Sequence, residues 1–135
     1  MLASALVASA LILRGGGGDS TDGAATTCQA WTETRQTLRS IPALPDGWNW
    51  NTPSIDTYIK NQNAPVAKAL DMFEPKIAPA PADVAQAAQD YVAARRKQML
   101  SLADRSYTPA EGAAVNVALE NLNRLCGIRD NGTQI

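Results

Sequence analysis

Cys28 and Cys126 are the only cysteines in this 135-residue chain, and nearly all of its helix-forming sequence lies between them. A fold of this chain must either bring the two ends of that sequence together or hold two thiols apart. Which outcome applies depends on the number of helices in between and on the compartment.

Four helical segments are legible from apolar spacing. The first covers about residues 26–40, where Cys28, Trp31, Leu38 and Ile41 fall near one face. Thr26 or Thr27 suits its N-cap. It stops at "IPALPDGWNWNTP", a run of prolines, one glycine and two tryptophans. The second opens on Thr52, a cap residue, and Pro53, which fits a first helical turn. Ile55, Ile59, Val66, Leu70 and Phe73 then recur at helical spacing. Pro65 lacks a donor and crowds the preceding turn, so a kink or break is expected near residues 61–64. "EPKIAPAPAD" forms the next connection.

The third segment runs over about residues 81–104, with Val84, Ala88, Tyr91, Met99 and Leu102 towards one face. Arg95, Arg96 and Lys97 form a short basic cluster. It reads as a solvated face, and its sharper alternative is a patch for an acidic partner or lipid headgroups. The fourth opens on "TPAE" at 108–111, a capping box with proline in the first turn. Val115, Ala118, Leu119, Leu122 and Leu125 make its stripe, and Gly127 suits its C-cap. β-Branched residues do not alternate anywhere, and no hairpin dipeptide joins two extended runs. The pattern predicts an all-α, four-helix up-down bundle over residues 26–127, followed by a loose tail at 128–135.

In an antiparallel four-helix arrangement the start of the first helix and the end of the fourth lie at the same end. Pairing of Cys28 with Cys126 is then geometrically natural, and outside the cytoplasm such a pair normally oxidises. The rivals are a redox pair, which the spacing disfavours because no Cys-x-x-Cys is present, and two buried free thiols.

The compartment rests on the first residues. "MLASALVASALIL" is apolar, Arg14 follows, and then four glycines. A bilayer span needs about 20 apolar residues, more than this run supplies. Its length suits the core of a secretory signal, but a basic stretch should precede it and a cleavage site should follow it. The favoured reading is a membrane anchor that begins upstream of Met1 and emerges at Arg14. An ordinary buried helix is the third possibility. Residues 15–25, rich in Gly, Ser, Thr and Asp, are expected to form a flexible stalk.

Little in the sequence carries catalysis. Histidine is absent, which removes the commonest general base and the commonest transition-metal ligand. No serine sits in a nucleophile frame, and "GGGGDS" does not lead into Lys-Ser or Lys-Thr. A formal net charge of -1 gives no case for nucleic acid. "NGT" at Asn131 matches a glycosylation pattern too short to weigh. Trp48 and Trp50 are different. Two of the three tryptophans flank Asn49 in the proline-rich loop. They can shield the open end of the bundle, or they can form an aromatic binding lip or interfacial anchor. Trp31 reads as core.

This layout resembles small Ala-rich exported or membrane-anchored helical proteins of mycobacteria and other actinobacteria. Those have an apolar N-terminal segment, a cysteine near the domain start followed by tryptophan, and a second cysteine in the last helix. The matching residues here are Cys28, Trp31 and Cys126, with "LPDGWNWNTP" between the first two helices. The resemblance implies a compartment rather than an activity. A group of similar layout, the mycobacterial haemophore-like proteins, binds haem. Without histidine, this chain offers iron only Tyr58, Tyr91, Tyr107 or a methionine.

The expectation is therefore a non-enzymatic interaction or accessory domain of the cell envelope. It sits on the extracytoplasmic face of the membrane, or is secreted if the N-terminal segment is cleaved. No cofactor and no metal are expected. Trp48 and Trp50 would contact a membrane or envelope protein. The alternative is a carrier of a small apolar or haem-like ligand between the helices.

Overall fold

The computed structural model describes residues 15–128, with side-chain environments from residue 23 onward. The apolar segment at 1–14, Asn131 and the rest of the tail from 129 lie outside the described residues. The described residues fold as an all-α bundle of four helices: α1 (Gly15–Arg39), α2 (Ile55–Phe73), α3 (Ala82–Ala103) and α4 (Pro109–Leu125). A single 3-10 turn, Glu74–Lys76, follows α2.

Each helix turns a stripe with helical periodicity inward. On α1, Thr27, Ala30, Trp31, Thr34 and Leu38 are buried, at intervals of three and four residues that keep them on one face. The centre of the bundle is aromatic. Trp31, Phe73 and Tyr91 are each fully buried. The Trp31 ring lies 4.8 Å from Tyr91 at 61° and 5.6 Å from Phe73 at 48°. Ala87 and Ala88 of α3 join the same core. Their small side chains leave room for these rings at native packing density.

Two predicted boundaries move. The stalk expected over residues 15–25 is helical backbone continuous with α1. The reason is visible where this extension meets the bundle. Gly23 lies so close to the Ala80 carbonyl that a β-carbon there would overlap it, with the Ala78 methyl next. Packing at this point nucleates the helix, and each residue added towards its start gains a hydrogen bond that offsets part of the helical cost of the glycines. Thr27 is accordingly not a cap. It is buried within α1, and its hydroxyl accepts the Ala78 N–H at 2.9 Å.

The start of α2 also shifts. The helix begins at Ile55, after Ser54 in the left-handed region at φ 61°. Thr52 serves the loop instead: its hydroxyl accepts the Asn49 N–H at 2.9 Å. Pro65 does not break the helix, which runs unbroken over 19 residues. Ile59 before the proline and Val66, Ala69 and Leu70 after it are all buried. Burial of that stripe on both sides outweighs one missing donor. By contrast, α4 starts as its sequence signals. The Glu111 carboxylate accepts the Thr108 N–H at 3.1 Å, which is the reciprocal half of a capping box.

Candidate functional site

The up-down path gives the bundle two unlike ends. At one, Cys28 and Cys126 form a disulfide, with their α-carbons 5.4 Å apart. Behind it Trp31 donates its indole N–H to the Asn123 side-chain oxygen at 2.8 Å, in a fully buried bond. Asn123 is the polar residue in an otherwise apolar stripe on α4. Without Trp31 its amide would be buried and unpaired.

The other end is capped by the loop between α1 and α2. Its backbone is folded into successive turns, with Trp48 N–H bonded to Pro45 O at 3.2 Å and Thr52 N–H to Asn49 O at 2.9 Å. Gly47 takes φ 67°, a left-handed value that costs glycine little. These turns hold Trp48 and Trp50 edge to face, 5.0 Å apart at 79°. Trp48 also faces Tyr107 at 6.1 Å. The Arg105 guanidinium sits 5.3 Å over the Trp50 ring, while its other side pairs with Asp56 at 2.8 Å. Together Trp48, Trp50, Leu44 and Tyr107 pack on a second, smaller apolar cluster of Ile55, Ile59 and Leu102. Both tryptophans are half-buried, so each covers that cluster and keeps part of its ring in solvent.

Beside Trp48 opens a cleft of about 450 Å³. Loop residues 44–48 form one wall. Gln62 of α2, Arg95 and Gln98 of α3, and Gly112 and Asn116 of α4 form the others, with Tyr107 at the α3–α4 turn. Tyr107 reaches this position because position 112 is glycine. A β-carbon there would meet the Tyr107 hydroxyl at 2.5 Å.

The basic cluster seen in the sequence is divided by the helix. Arg96 bridges α3 to the end of α2, pairing with Asp71 at 2.9 Å and Glu74 at 3.0 Å. Those two carboxylates, through their hydrogen bonds, raise its pKa above the ordinary arginine value. Arg95 points elsewhere, donating to the Tyr91 hydroxyl at 3.0 Å while lining the cleft. Burial pushes the Tyr91 phenol above its ordinary pKa, and the charge and hydrogen bond of Arg95 work against that shift.

The oxygen ligands considered for haem are dispersed. Tyr91 is buried with its hydroxyl bonded to Arg95, Tyr58 is 47% exposed, and of the three only Tyr107 lines the cleft. Among the described residues no cluster of three Asp, Glu or Cys side chains is placed to hold a metal ion. No helix among them is long and apolar enough to cross a membrane. Sequence reasoning reached Trp48 and Trp50 but missed Gln62, Arg95, Gln98, Tyr107 and Asn116 as neighbours. The only advance signal was that Arg95, Gln98 and Leu102 recur at helical spacing.

No protein family, curated protein or solved structure matches the chain.

Proposed function

We propose that this domain is a non-enzymatic interaction or accessory module of the cell envelope, working outside the reducing cytosol. It is either anchored through its N-terminal segment or exported, and Trp48 and Trp50 are its contact with a membrane or envelope protein. The observation that carries this reading is the aromatic loop. It presents two half-buried tryptophans held edge to face by turns, Trp50 under Arg105 and Trp48 at the rim of an open cleft. Rigid aromatics of this kind are what interfaces draw most energy from, because little side-chain entropy is lost when they are covered. The Cys28–Cys126 disulfide supports the compartment, since such bonds persist where thiols are not kept reduced. The resemblance to exported actinobacterial proteins points the same way.

The test compares the intact chain with a Trp48→Ala/Trp50→Ala variant in capture from a detergent-solubilised envelope fraction. A specific protein captured by the intact chain and lost from the variant, with helicity by circular dichroism unchanged, is the expected result. Equal capture by both overturns the assignment of the loop as contact.

A second reading, a carrier of a small ligand, draws on the 450 Å³ cleft rather than on the bundle centre. The centre is filled by Trp31, Phe73 and Tyr91. Mass spectrometry of gently purified material reads this directly, and a carrier retains a stoichiometric small molecule.

A further inference from the structure

Arg95 holds an unusual position among the arginines placed by α3 and its C-terminal turn. Arg96 is neutralised by Asp71 and Glu74, and Arg105 by Asp56. Arg95 is half-buried in the cleft wall and forms no salt bridge among the described residues. Among the described residues its one hydrogen bond goes to the Tyr91 hydroxyl. A guanidinium carries five N–H donors in a planar fork, so most of this fork remains without a protein acceptor. The Tyr91 bond anchors one terminal nitrogen of the fork. Gln62, Gln98 and Asn116 surround it with amides that make no side-chain hydrogen bond to protein among the described residues. Trp48 adds an apolar face to the same space.

We propose that the cleft binds a carboxylate, with Arg95 as its charged partner. The proposal rests on the reading of this end as the contact surface and names the chemistry that it recognises. A planar carboxylate matches the guanidinium fork, accepting two parallel hydrogen bonds. The amides supply neutral donors for its remaining lone pairs and for an adjoining amide or hydroxyl. The Trp48 ring covers an apolar body attached to the acid. A phosphate dianion fits less well. It wants more positive charge than one arginine, and the repulsion from Asp46 in the same lining, which a carboxylate also meets, is about doubled for a dianion. The cleft volume of about 450 Å³ falls in the range of small-ligand sites. The carboxylate belongs either to a small organic acid or to the C-terminus of a peptide.

The experiment uses the full chain with its disulfide intact, labelled with nitrogen-15. It follows the Trp48 indole N–H, assigned through Trp48→Phe, and the Arg95 Nε–H. The probes are phenylacetate and its neutral analogue phenylacetamide, N-acetyl-glycyl-phenylalanine and its C-terminal amide, and phenylphosphate. Both carboxylates are expected to shift both resonances, and both amides to leave them in place. Arg95→Gln should weaken carboxylate binding at least about tenfold, the usual scale of a lost charge-assisted hydrogen bond. Arg96→Gln should bind as the parent does. Should Arg95→Gln fail to fold because Tyr91 loses its partner, Gln98→Leu leaves that bond intact and is expected to weaken binding about threefold.

Tighter binding of the peptide acid than of phenylacetate assigns the source to a chain terminus, and the reverse assigns it to a free acid. The proposal is overturned if an amide binds as tightly as its acid, or if the folded Arg95→Gln chain, or Gln98→Leu in its place, binds carboxylates unchanged. Tighter binding of phenylphosphate than of phenylacetate also overturns it, as does the absence of any shift at millimolar probe. A chain that captures its envelope partner yet ignores every carboxylate loses this site and keeps the contact reading. Carboxylate binding without loop-dependent capture does the opposite.

Discussion

The two ends of the bundle are built from the same kinds of residue and come out differently. At the disulfide end Trp31 is wholly buried, its indole N–H goes to Asn123, and Cys28–Cys126 and the Thr27–Ala78 bond tie α1 to its neighbours. At the loop end Trp48 and Trp50 are half-covered and pack on each other and on Ile55, Ile59 and Leu102, and Trp48 also meets Tyr107 and borders an open cleft. A tryptophan with a buried acceptor specifies one packing. A tryptophan whose edge meets water covers apolar surface while leaving a partner something to touch. The difference sets a cross-linked, fully packed end against one whose aromatic surface stays partly open, the end that the proposed function takes as its contact.

Removing the cross-link tests that division most severely. The bond closes a span of 98 residues, and returning that much conformational freedom to the unfolded chain destabilises the fold by about 4 kcal/mol. A Cys28→Ser/Cys126→Ser chain should show a urea midpoint lowered accordingly. Hydrogen exchange should speed up most in the middle of α1 around Thr27 and Cys28 and in the last turn of α4. If α2 near Ile55 and Ile59 loses protection first instead, the disulfide end is not the stable one and the comparison breaks.

The next contrast sets one tryptophan against another. Trp31→Phe keeps an aromatic ring but leaves the Asn123 amide buried without its partner, at a cost of about 2 kcal/mol. Trp48→Phe trims a ring that is already part-exposed and leaves no buried amide unpaired, so only about 1 kcal/mol of burial is lost. Urea denaturation of both variants in the disulfide-bonded state reads the difference. Equal costs would mean that the aromatic loop is as much core as Trp31 is.

What the sequence revealed follows the same divide. Cys28, Trp31 and the "TPAE" start of α4 were legible because each depends on local spacing or on the simple geometry of an up-down bundle. Asn123 was not legible as the partner of Trp31, since the two are 92 positions apart and only packing brings them together. The cleft was hidden for a related reason. Successive helical residues point about 100° apart, so a run such as Arg95, Arg96 and Lys97 cannot act as one patch. One member turns to Asp71 and Glu74 and another to the cleft. At residues 15–25, expected as a stalk, the backbone is helical: composition speaks to intrinsic order, whereas Gly23 lies close against the Ala80 backbone.

The smallest effect, absent at neutral pH, links core to cleft through Tyr91. Burial raises the phenol's pKa in the folded state above 10.0, with Arg95 opposing. Below the unfolded value both states keep the proton, and folding is indifferent to pH through this group. Above it the unfolded chain releases a proton that the folded chain still holds, so stability falls as pH rises. The slope is at most about 1.4 kcal/mol per pH unit for one proton. Tyr91→Phe has no proton to release. Its stability at neutral pH should be lower, because Arg95 loses an acceptor, but its decline above about pH 10 should be shallower than the parent's. Chemical denaturation at stepped alkaline pH measures both slopes. Identical slopes would mean that Tyr91 titrates alike in both states, and that its hydroxyl is far better solvated beside the cleft than its burial implies.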